Sequence, residues 1–460
     1  MKNLRRREFI KLAGVQVTSL AAQSGSSTSL PNLILYMSDD HGLLFSEPYG
    51  ASHIRTPNLA KLAAEGMRFT HAFNASPSCG PSRTAMLTGL WPARNGAEPN
   101  HKPPRPDVRG LPAKLQALGY EIAVIGKIAH NDFAKYYNFD FVVGPNIGGT
   151  NTEEVEKYLA NRKSSKPLCL WFGSHFPHVP WVANEGYDPA TVKLPPELVD
   201  TPETRNQCTK YYTSVTRTDR LLGEFRALTK KYLPGNSLFI YTTDHGAQWP
   251  FAKWDLYDAG IRLPFIAAWE GKLEPGSVCD AMICLPDLLP TFIELAGGKV
   301  PEGLDGKSFA PILRGTKKSH RDRVFNTHSG DGVINVYPIR SLRTRQWKYI
   351  LNLHPEFQHH THDTRHSKGN GILYWRTWLE EAKTNPKAAA VVNRYVERPA
   401  EELFDLKADP HELKNLATAP KQAKRLASMR TELKAWMKAQ GDQEIIFGKP
   451  LLKGEPVTMV

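Results

Sequence analysis

The sequence predicts an α/β protein built on a mostly parallel, doubly wound sheet, with a smaller α+β subdomain at its C-terminal end. Three observations carry this prediction. Short apolar runs rich in β-formers recur along the first two-thirds of the chain, amphipathic helical segments lie between them, and past about Leu313 the pattern changes to paired strands and a terminal helix. The 460 residues are 41% hydrophobic and 23% charged, an ordinary globular balance that excludes disorder, collagen and coiled coil. No stretch reaches the ~18 consecutive apolar residues of a membrane span, so no stable membrane insertion is expected.

The N-terminal segment belongs to targeting rather than to the fold. Arg6-Arg7-Glu8-Phe9-Ile10-Lys11, followed by a mildly apolar stretch and a Ser/Gly-rich run, resembles a twin-arginine export signal, so residues 1–28 are set aside as signal and linker. A periplasmic or secreted mature protein is expected. Residues 29–313 are then read as the catalytic part and 314–460 as the C-terminal subdomain. Asn32 to Met37, Glu121 to Ile125, Leu168 to Gly173 and Ser237 to Thr242 have the continuous apolar character of strands buried on both faces. Thr56-Pro57 opens a helix that Gly66 closes, Leu111 to Leu118 forms another before Gly119, and Asn206 to Tyr232 holds a long amphipathic pattern. Further on, Pro338 to Leu353 reads as two strands around a turn at Arg345-Gln346, and Lys421 to Ala439 as a terminal helix. The basic, His-rich stretch from His354 to Gly371 reads as a long surface loop.

Polar residues follow each of the four strands. Ser38-Asp39-Asp40-His41-Gly42 comes after the first, Gly126 to His130 after the second, Ser174 to His178 after the third and Thr243-Asp244-His245-Gly246 after the fourth. The carboxyl ends of an open α/β sheet are where ligands bind, so four strands deliver carboxylates, imidazoles and an ammonium to one crevice. Singly, each has a plain explanation: an Asp pair caps or turns, and a lone His or Lys is solvated. Together they point to a site. Asp39, Asp40 and Asp244 are hard oxygen ligands, and three carboxylates converging without countercharge would repel unless a divalent cation sat between them; calcium or magnesium suits them better than zinc.

The sharpest local motif is Cys79-Gly80-Pro81-Ser82-Arg83, continuing to Leu87-Thr88-Gly89. Pro81 suits a first helical turn and Gly89 a helix end, which puts Cys79 just before a helix N-terminus, where a thiol pKa is expected to fall. The five cysteines are odd in number and form no zinc pattern; Cys79 is the candidate for the unpaired one.

These residues resemble the type I, formylglycine-dependent sulfatases of the alkaline phosphatase superfamily, whose C-x-P-S-R signature with a following L-T-G is matched without a gap. The likeness extends through Leu285 to Thr291, Glu402 to Asp405 and Asp409 to Glu412. It implies an alkaline-phosphatase-like fold, conversion of Cys79 to formylglycine by a formylglycine-generating enzyme, and a calcium ion held by Asp39, Asp40, Asp244, His245 and the residue at 79. It also implies that Arg83, Lys127 and Lys253 hold formylglycine and sulfate, that His130 takes a proton from the hydrated aldehyde, and that His178 protonates the leaving atom. His175 is a second candidate for that acid. Two departures stand out: His245 replaces a common asparagine, and Lys127-x-x-His130 is one residue longer than the usual lysine-x-histidine.

Within that family the segments Asp244 to Pro264, Tyr337 to Ser341 and the region near Trp375 most resemble heparan N-sulfatases, N-sulfoglucosamine sulfohydrolases. Lys253, where those carry arginine, and Ser329-Gly330-Asp331-Gly332, where they are rich in His and Glu, are pocket-grade differences, so O-sulfated sugars stay open. The formal charge is +13, of which the signal segment carries a net four, leaving +9 to attract a sulfated glycan. No helix-turn-helix, finger or RRM pattern points to nucleic acid. A phosphodiesterase or phosphonate hydrolase on the same fold is the enzymatic alternative, and a catalytically dead polyanion-binding protein the other; the latter would have lost Cys79, Arg83 or a metal ligand, and none is lost.

Overall fold

The computed structural model describes residues 30–108, 110–144 and 150–460. The twin-arginine segment and its linker through residue 28 lie outside the described residues. Eight strands form the main sheet: β1 Asn32–Ser38, β2 Met67–Phe73, β3 Glu121–Gly126, β4 Phe141–Val143, β5 Leu168–Gly173, β6 Ser237–Thr243, β7 Arg262–Trp269 and β8 Ser277–Cys284. Their order is β4-β3-β5-β1-β6-β7-β2-β8, and of these eight β7 alone runs against the rest.

The central strands β1, β3, β5 and β6 are largely apolar because both faces of the sheet are covered there. In β1, Leu33, Leu35 and Met37 enter one core layer while Ile34 and Tyr36 enter the other; β5 and β6 divide in the same way, Trp171 and Ile240 on one side, Phe172 and Tyr241 on the other. β1 lies between β5 and β6, with Leu33 in register with both Cys169 and Leu238. Connections leave this centre in both directions, so a crevice opens at the carboxyl end of β1.

Helix boundaries follow their capping residues. Pro57–Glu65 begins on its proline after Thr56 and ends at Gly66. The long helix is Pro202–Tyr232, four residues longer at its start than the amphipathic pattern indicates, because Thr201 Oγ1 accepts from Thr204 N and Pro202 takes the first position. Its Leu221, Leu222 and Phe225 pack on the Tyr36 face of the sheet.

Past the main sheet, β9 Arg323–His328, β10 Ile339–Thr344, β11 Trp347–Asn352 and β12 Glu401–Asp405 form a four-stranded antiparallel sheet in the order β12-β11-β10-β9. β10 and β11 flank the turn expected at Arg345-Gln346. The helix Ala423–Gln440 covers one face with Leu426, Met429, Leu433 and Met437, against Leu342, Tyr349 and Leu403. The other face shares a core with the main sheet, where Val324, Ile339, Ile350 and Phe404 join Phe73, Trp249, Tyr257 and Met282.

One expectation is overturned. Residues 354–371 are not a solvated loop: His359 is fully buried with its Nε2 3.3 Å from Asp255 Oδ1, and Thr361 caps a short helix, His362–Arg365. A neutral imidazole is inexpensive to bury when a partner waits inside, and Asp255 sits a hundred residues earlier in the chain. None of the described helices is long and apolar enough to cross a membrane.

Asp287 ties the two sheets together. Its carboxylate accepts from Cys284 N at 2.9 Å and Lys307 N at 2.7 Å, and pairs with Arg321 and with His320 at 3.1 Å. Burial opposes its ionisation, yet Arg321 and His320 outweigh burial and hold the carboxyl well below the usual range. It therefore protonates later in the folded chain than in the unfolded one, so its contribution is complete above the unfolded pKa near 4 and is lost as pH falls. Asp287→Ala should cost about 3–5 kcal/mol by leaving Arg321 buried without its partner. Denaturant titrations at neutral and acid pH check this, with the difference between the two proteins shrinking as pH is lowered.

Candidate active site

The four carboxyl ends converge as the sequence indicates. β1 delivers Asp39 and Asp40, β3 delivers Lys127, β5 leads to His175 and His178, and β6 to Asp244 and His245; Asp39, Asp40, Asp244 and His245 are fully buried. The turns after β3 and β5 run so close that a Cβ on Gly173 would lie 2.2 Å from the Lys127 backbone, so glycine is required there. Asp40 has φ +67°, unusual for a residue with a side chain. Tyr211, from the helix Pro202–Tyr232, holds it: its hydroxyl donates to Asp40 O at 2.8 Å and accepts from Gly42 N at 3.0 Å.

Cys79 is the first residue of the helix Cys79–Thr88, not the one before it, and every residue of that helix is buried. Its Sγ lies 3.2 Å from His245 Nε2 and 3.8 Å from both Lys127 Nζ and Asp39 Oδ1. The expected fall in thiol pKa does not occur. Burial drives it upward and outweighs Lys127 and Lys253, because a thiolate so largely enclosed loses most of its hydration. All five cysteines are free and buried.

Three cations stand against the three carboxylates. Arg83 Nε donates to Asp244 Oδ2 at 2.9 Å, its Nη2 to Asp39 Oδ1 at 3.1 Å, and its Nη1 to the Lys127 carbonyl. Lys127 Nζ is 2.6 Å from Asp39 Oδ2, and Lys253 Nζ 2.8 Å from Asp40 Oδ2. The carboxylates thus have countercharges already, and mutual repulsion alone does not demand a metal.

Other features do fit one. Single ligand atoms of Asp39, Cys79, Asp244 and His245 lie within 4.8 Å of one another. His245 Nδ1–H donates to Gly246 O at 3.0 Å, leaving the Nε2 lone pair to face Asp40 Oδ1 at 3.3 Å and Asp244 Oδ2 at 3.6 Å. Asp40 Oδ1 is buried without a hydrogen-bond partner. A lone pair aimed at two carboxylate oxygens and an unpartnered carboxylate oxygen beside it form a donor set that suits a divalent cation.

Two imidazoles line the mouth. His178 Nδ1–H donates to Val179 O at 2.6 Å and its Nε2 faces Asp40 Oδ2 at 4.0 Å; His175 stacks on it, ring centroids 5.9 Å apart. Burial, aided by Lys253 and Lys127, holds His178 well below the usual imidazole range. His130 is pushed down to about 2 by burial, with Lys127 adding to it, and its hydrogen-bond partner is His101, 2.7 Å away, rather than Cys79.

Cys79, His130, His178 and Lys253 open into a cavity of about 330 Å³ whose far wall holds His101, Trp254, Asp331, His362 and residues 366 and 368–371. These wall residues are the part that sequence reasoning missed, apart from the segment Ser329 to Gly332. The concentration of histidines from 354 to 366 was the available signal, and it was assigned to solvent.

Comparison with known proteins decides the family. The sulfatase family model matches residues 31–298, and the model for the C-terminal part of N-sulphoglucosamine sulphohydrolase matches residues 245–366. The chain belongs to the sulfatase family. An ulvan-active sulfatase of Formosa agariphila is 32% identical over 455 residues, covering 94% of this sulfatase and 86% of the relative. Human N-sulphoglucosamine sulphohydrolase is 28% identical over 471 residues, covering 88% and 89%. A protein solved in complex with its substrate D-glucosamine-2-N,6-O-disulfate superposes with a TM-score of 0.69 at 20% identity, covering 90% of this chain and 99% of that one, a likeness of fold. The architecture is the alkaline-phosphatase-like sulfatase fold, and the sulfatase hydrolyses sulfate from sugars; its family generally uses formylglycine and a divalent metal.

A divalent cation that binds the folded site and not the unfolded chain should raise the melting temperature, by the equivalent of about 2.7 kcal/mol at a hundredfold excess over Kd. Asp244→Asn should remove most of that cation-dependent rise in a thermal-shift titration, while chelator should lower the melting temperature of the wild type alone.

Proposed function

We propose that this sulfatase removes sulfate from N-sulfoglucosamine at the end of a heparan-like glycan, with Cys79 matured to formylglycine by a formylglycine-generating enzyme before or during export. The observation that carries the chemistry is the placement of Cys79 Sγ at the floor of the cavity, beside Lys127 and the carboxylate cluster, in a C-x-P-S-R helix start. A calcium ion held by Asp39, Asp40, Asp244 and His245 with the residue at 79 would supply positive charge to the sulfate oxygens, and the hydrated aldehyde would supply a nucleophile whose second hydroxyl permits release of sulfate.

The remaining steps belong to side chains. Lys127 and Lys253, each with one carboxylate partner, bind sulfate oxygens at the cavity floor. Arg83 has its fork engaged by Asp39, Asp244 and a carbonyl, so it orients the carboxylates rather than reaching the sugar. His178, anchored through Nδ1–H to Val179 O, presents Nε2 to the leaving atom, and the negative charge of a sulfate beside it favours the protonated form that an acid requires. His130 serves as the base. The +9 charge of the mature chain draws the polyanion in.

The match of residues 245–366 to the N-sulphoglucosamine sulphohydrolase model supports the N-linked substrate. A second reading, an O-sulfatase acting on another sulfated polysaccharide, is favoured by Lys253 and by the 32% identity to an ulvan-active sulfatase.

Mass spectrometry of the peptide containing Cys79, from protein made in its native host, should find the aldehyde in place of the thiol. Cys79→Ser should release at most one sulfate per enzyme, because serine lacks the second hydroxyl. In a panel of N-sulfoglucosamine, O-sulfated glucosamine, galactosamine and galactose, and a phosphate diester, N-sulfoglucosamine should be cleaved fastest. Rapid release from an O-sulfated sugar with none from N-sulfoglucosamine establishes the second reading instead.

A further inference from the structure

His130, three residues past Lys127, has another imidazole as its hydrogen-bond partner. His130 Nε2 lies 2.7 Å from His101 Nδ1, and His101 Nε2 lies 3.1 Å from Asp331 Oδ1. Across each of these contacts a single proton is shared, so the chain has a direction, and the direction can be worked out from its far end.

Asp331 is buried and accepts only. Its Oδ2 takes Trp254 Nε1–H at 2.6 Å and Asn100 Nδ2–H at 2.9 Å. The Asn100 amide cannot turn over, because its Oδ1 accepts from Gly80 N at 2.9 Å. Oδ1 of Asp331 is therefore left to accept from His101 Nε2–H, and in the neutral imidazole this leaves His101 Nδ1 as an acceptor. Asn131 Nδ2 also points at His101 Nδ1, at 3.3 Å, a second donor on the same lone pair. Asn100 Nδ2 lies 3.3 Å from His101 Nε2 as well, but the carboxylate, closer and charged, claims that ring nitrogen's proton. With His101 Nδ1 accepting, His130 must carry its hydrogen on Nε2 and keep Nδ1 free as the basic atom; that Nδ1 is buried without a hydrogen-bond partner.

The backbone shows how firmly the arrangement is held. His101 sits at φ +65°, a left-handed conformation that a residue with a side chain keeps only where its surroundings hold it. Asp331 is fixed by paired backbone bonds to Asn335, at 2.8 and 3.2 Å, and the same loop accepts Asn100 N through Gly330 O at 2.9 Å. Half of the His101 side chain remains exposed, so the middle link of the chain reaches solvent.

We propose that Asp331 and His101 are positioning residues that fix the tautomer and orientation of His130, and that this oriented chain of carboxylate, imidazole and imidazole is what lets His130 act as base. The catalytic half of this statement rests on the sulfatase reading of His130; the direction of the hydrogen bonds does not.

Asp331→Asn tests it without changing shape. The asparagine oxygen must meet the two donors Trp254 and Asn100, so its amide nitrogen faces His101 Nε2 and donates, which moves the His101 hydrogen to Nδ1 and the His130 hydrogen from Nε2 to Nδ1. Long-range ¹H–¹⁵N spectra of the full-length protein should read this reversal directly. In matured enzyme, kcat should fall on the order of 100-fold with KM little changed. His101→Gln, whose carboxamide can accept from His130 and donate to Asp331, should keep the wild-type His130 tautomer and much of the activity, whereas His101→Leu should lose both. A wild-type His130 protonated on Nδ1, or a tautomer unmoved in Asp331→Asn, overturns the proposed direction. A reversed tautomer with unchanged kcat overturns the positioning role. Sulfate release from no sugar by wild-type protein that shows the expected tautomers counts against the sulfatase reading and leaves the hydrogen-bond direction supported.

Discussion

Everything at this site depends on how six buried charges neutralise one another. Asp39, Asp40 and Asp244 are withdrawn from water at the ends of parallel strands, where a lone carboxylate would take up a proton rather than stay ionised. Arg83, Lys127 and Lys253 supply the countercharges. Burial works against Asp39, but Lys127, with His178 and Arg83, outweighs it and holds the carboxyl far below its ordinary range; the same pairing, through Asp40, keeps Lys253 protonated despite its burial. Each partner makes the other's charge tolerable. Asp39 and Asp244 follow the adjacent parallel strands β1 and β6, while Lys127 follows β3, with β5 between it and β1, and one arginine still reaches all three turns.

Arg83 links this charge network to the cysteine four residues before it. A helix that starts on Cys79 puts residue 83 one turn further in, on the same face, and the guanidinium then reaches two carboxylates and a carbonyl from beneath the sulfur. A lysine at 83 could not satisfy three acceptors with one fixed plane. The spacing of the motif is thus a statement about helix geometry as well as about chemistry.

The floor of the site was legible in the sequence and its wall was not, for a physical reason. Strands buried on both faces announce themselves as unbroken apolar runs, so any Asp, His or Lys directly after such a run is located in space as soon as the strand is recognised; Asp39, Lys127, His178 and Asp244 were found in this way. Asp331 and His362 follow no such marker. They come from connections of the second sheet, and what turns them inward is contact with Trp254 and His101 far away in the chain. The histidines near 360 read as solvated because the residues that bury them are not their neighbours. Thr201 illustrates the smaller error, since a cap lengthens a helix beyond its amphipathic part. The thiol of Cys79 shows the opposite one: a local rule about helix ends was applied where exclusion of water decides.

The burial of the whole helix Cys79–Thr88 has a consequence for the order of events in the life of this chain. An enzyme that alters Cys79 while gripping its neighbours needs those neighbours within reach, and in the finished fold Gly80 to Thr88 are packed beneath two sheets. On the proposed maturation, the chemistry at residue 79 would take place while the segment is still extended, before β6 supplies Asp244 and the loop after β9 supplies the wall, and folding would then close over the altered residue. A chain that missed this interval would fold with its thiol in place and without the proposed nucleophile.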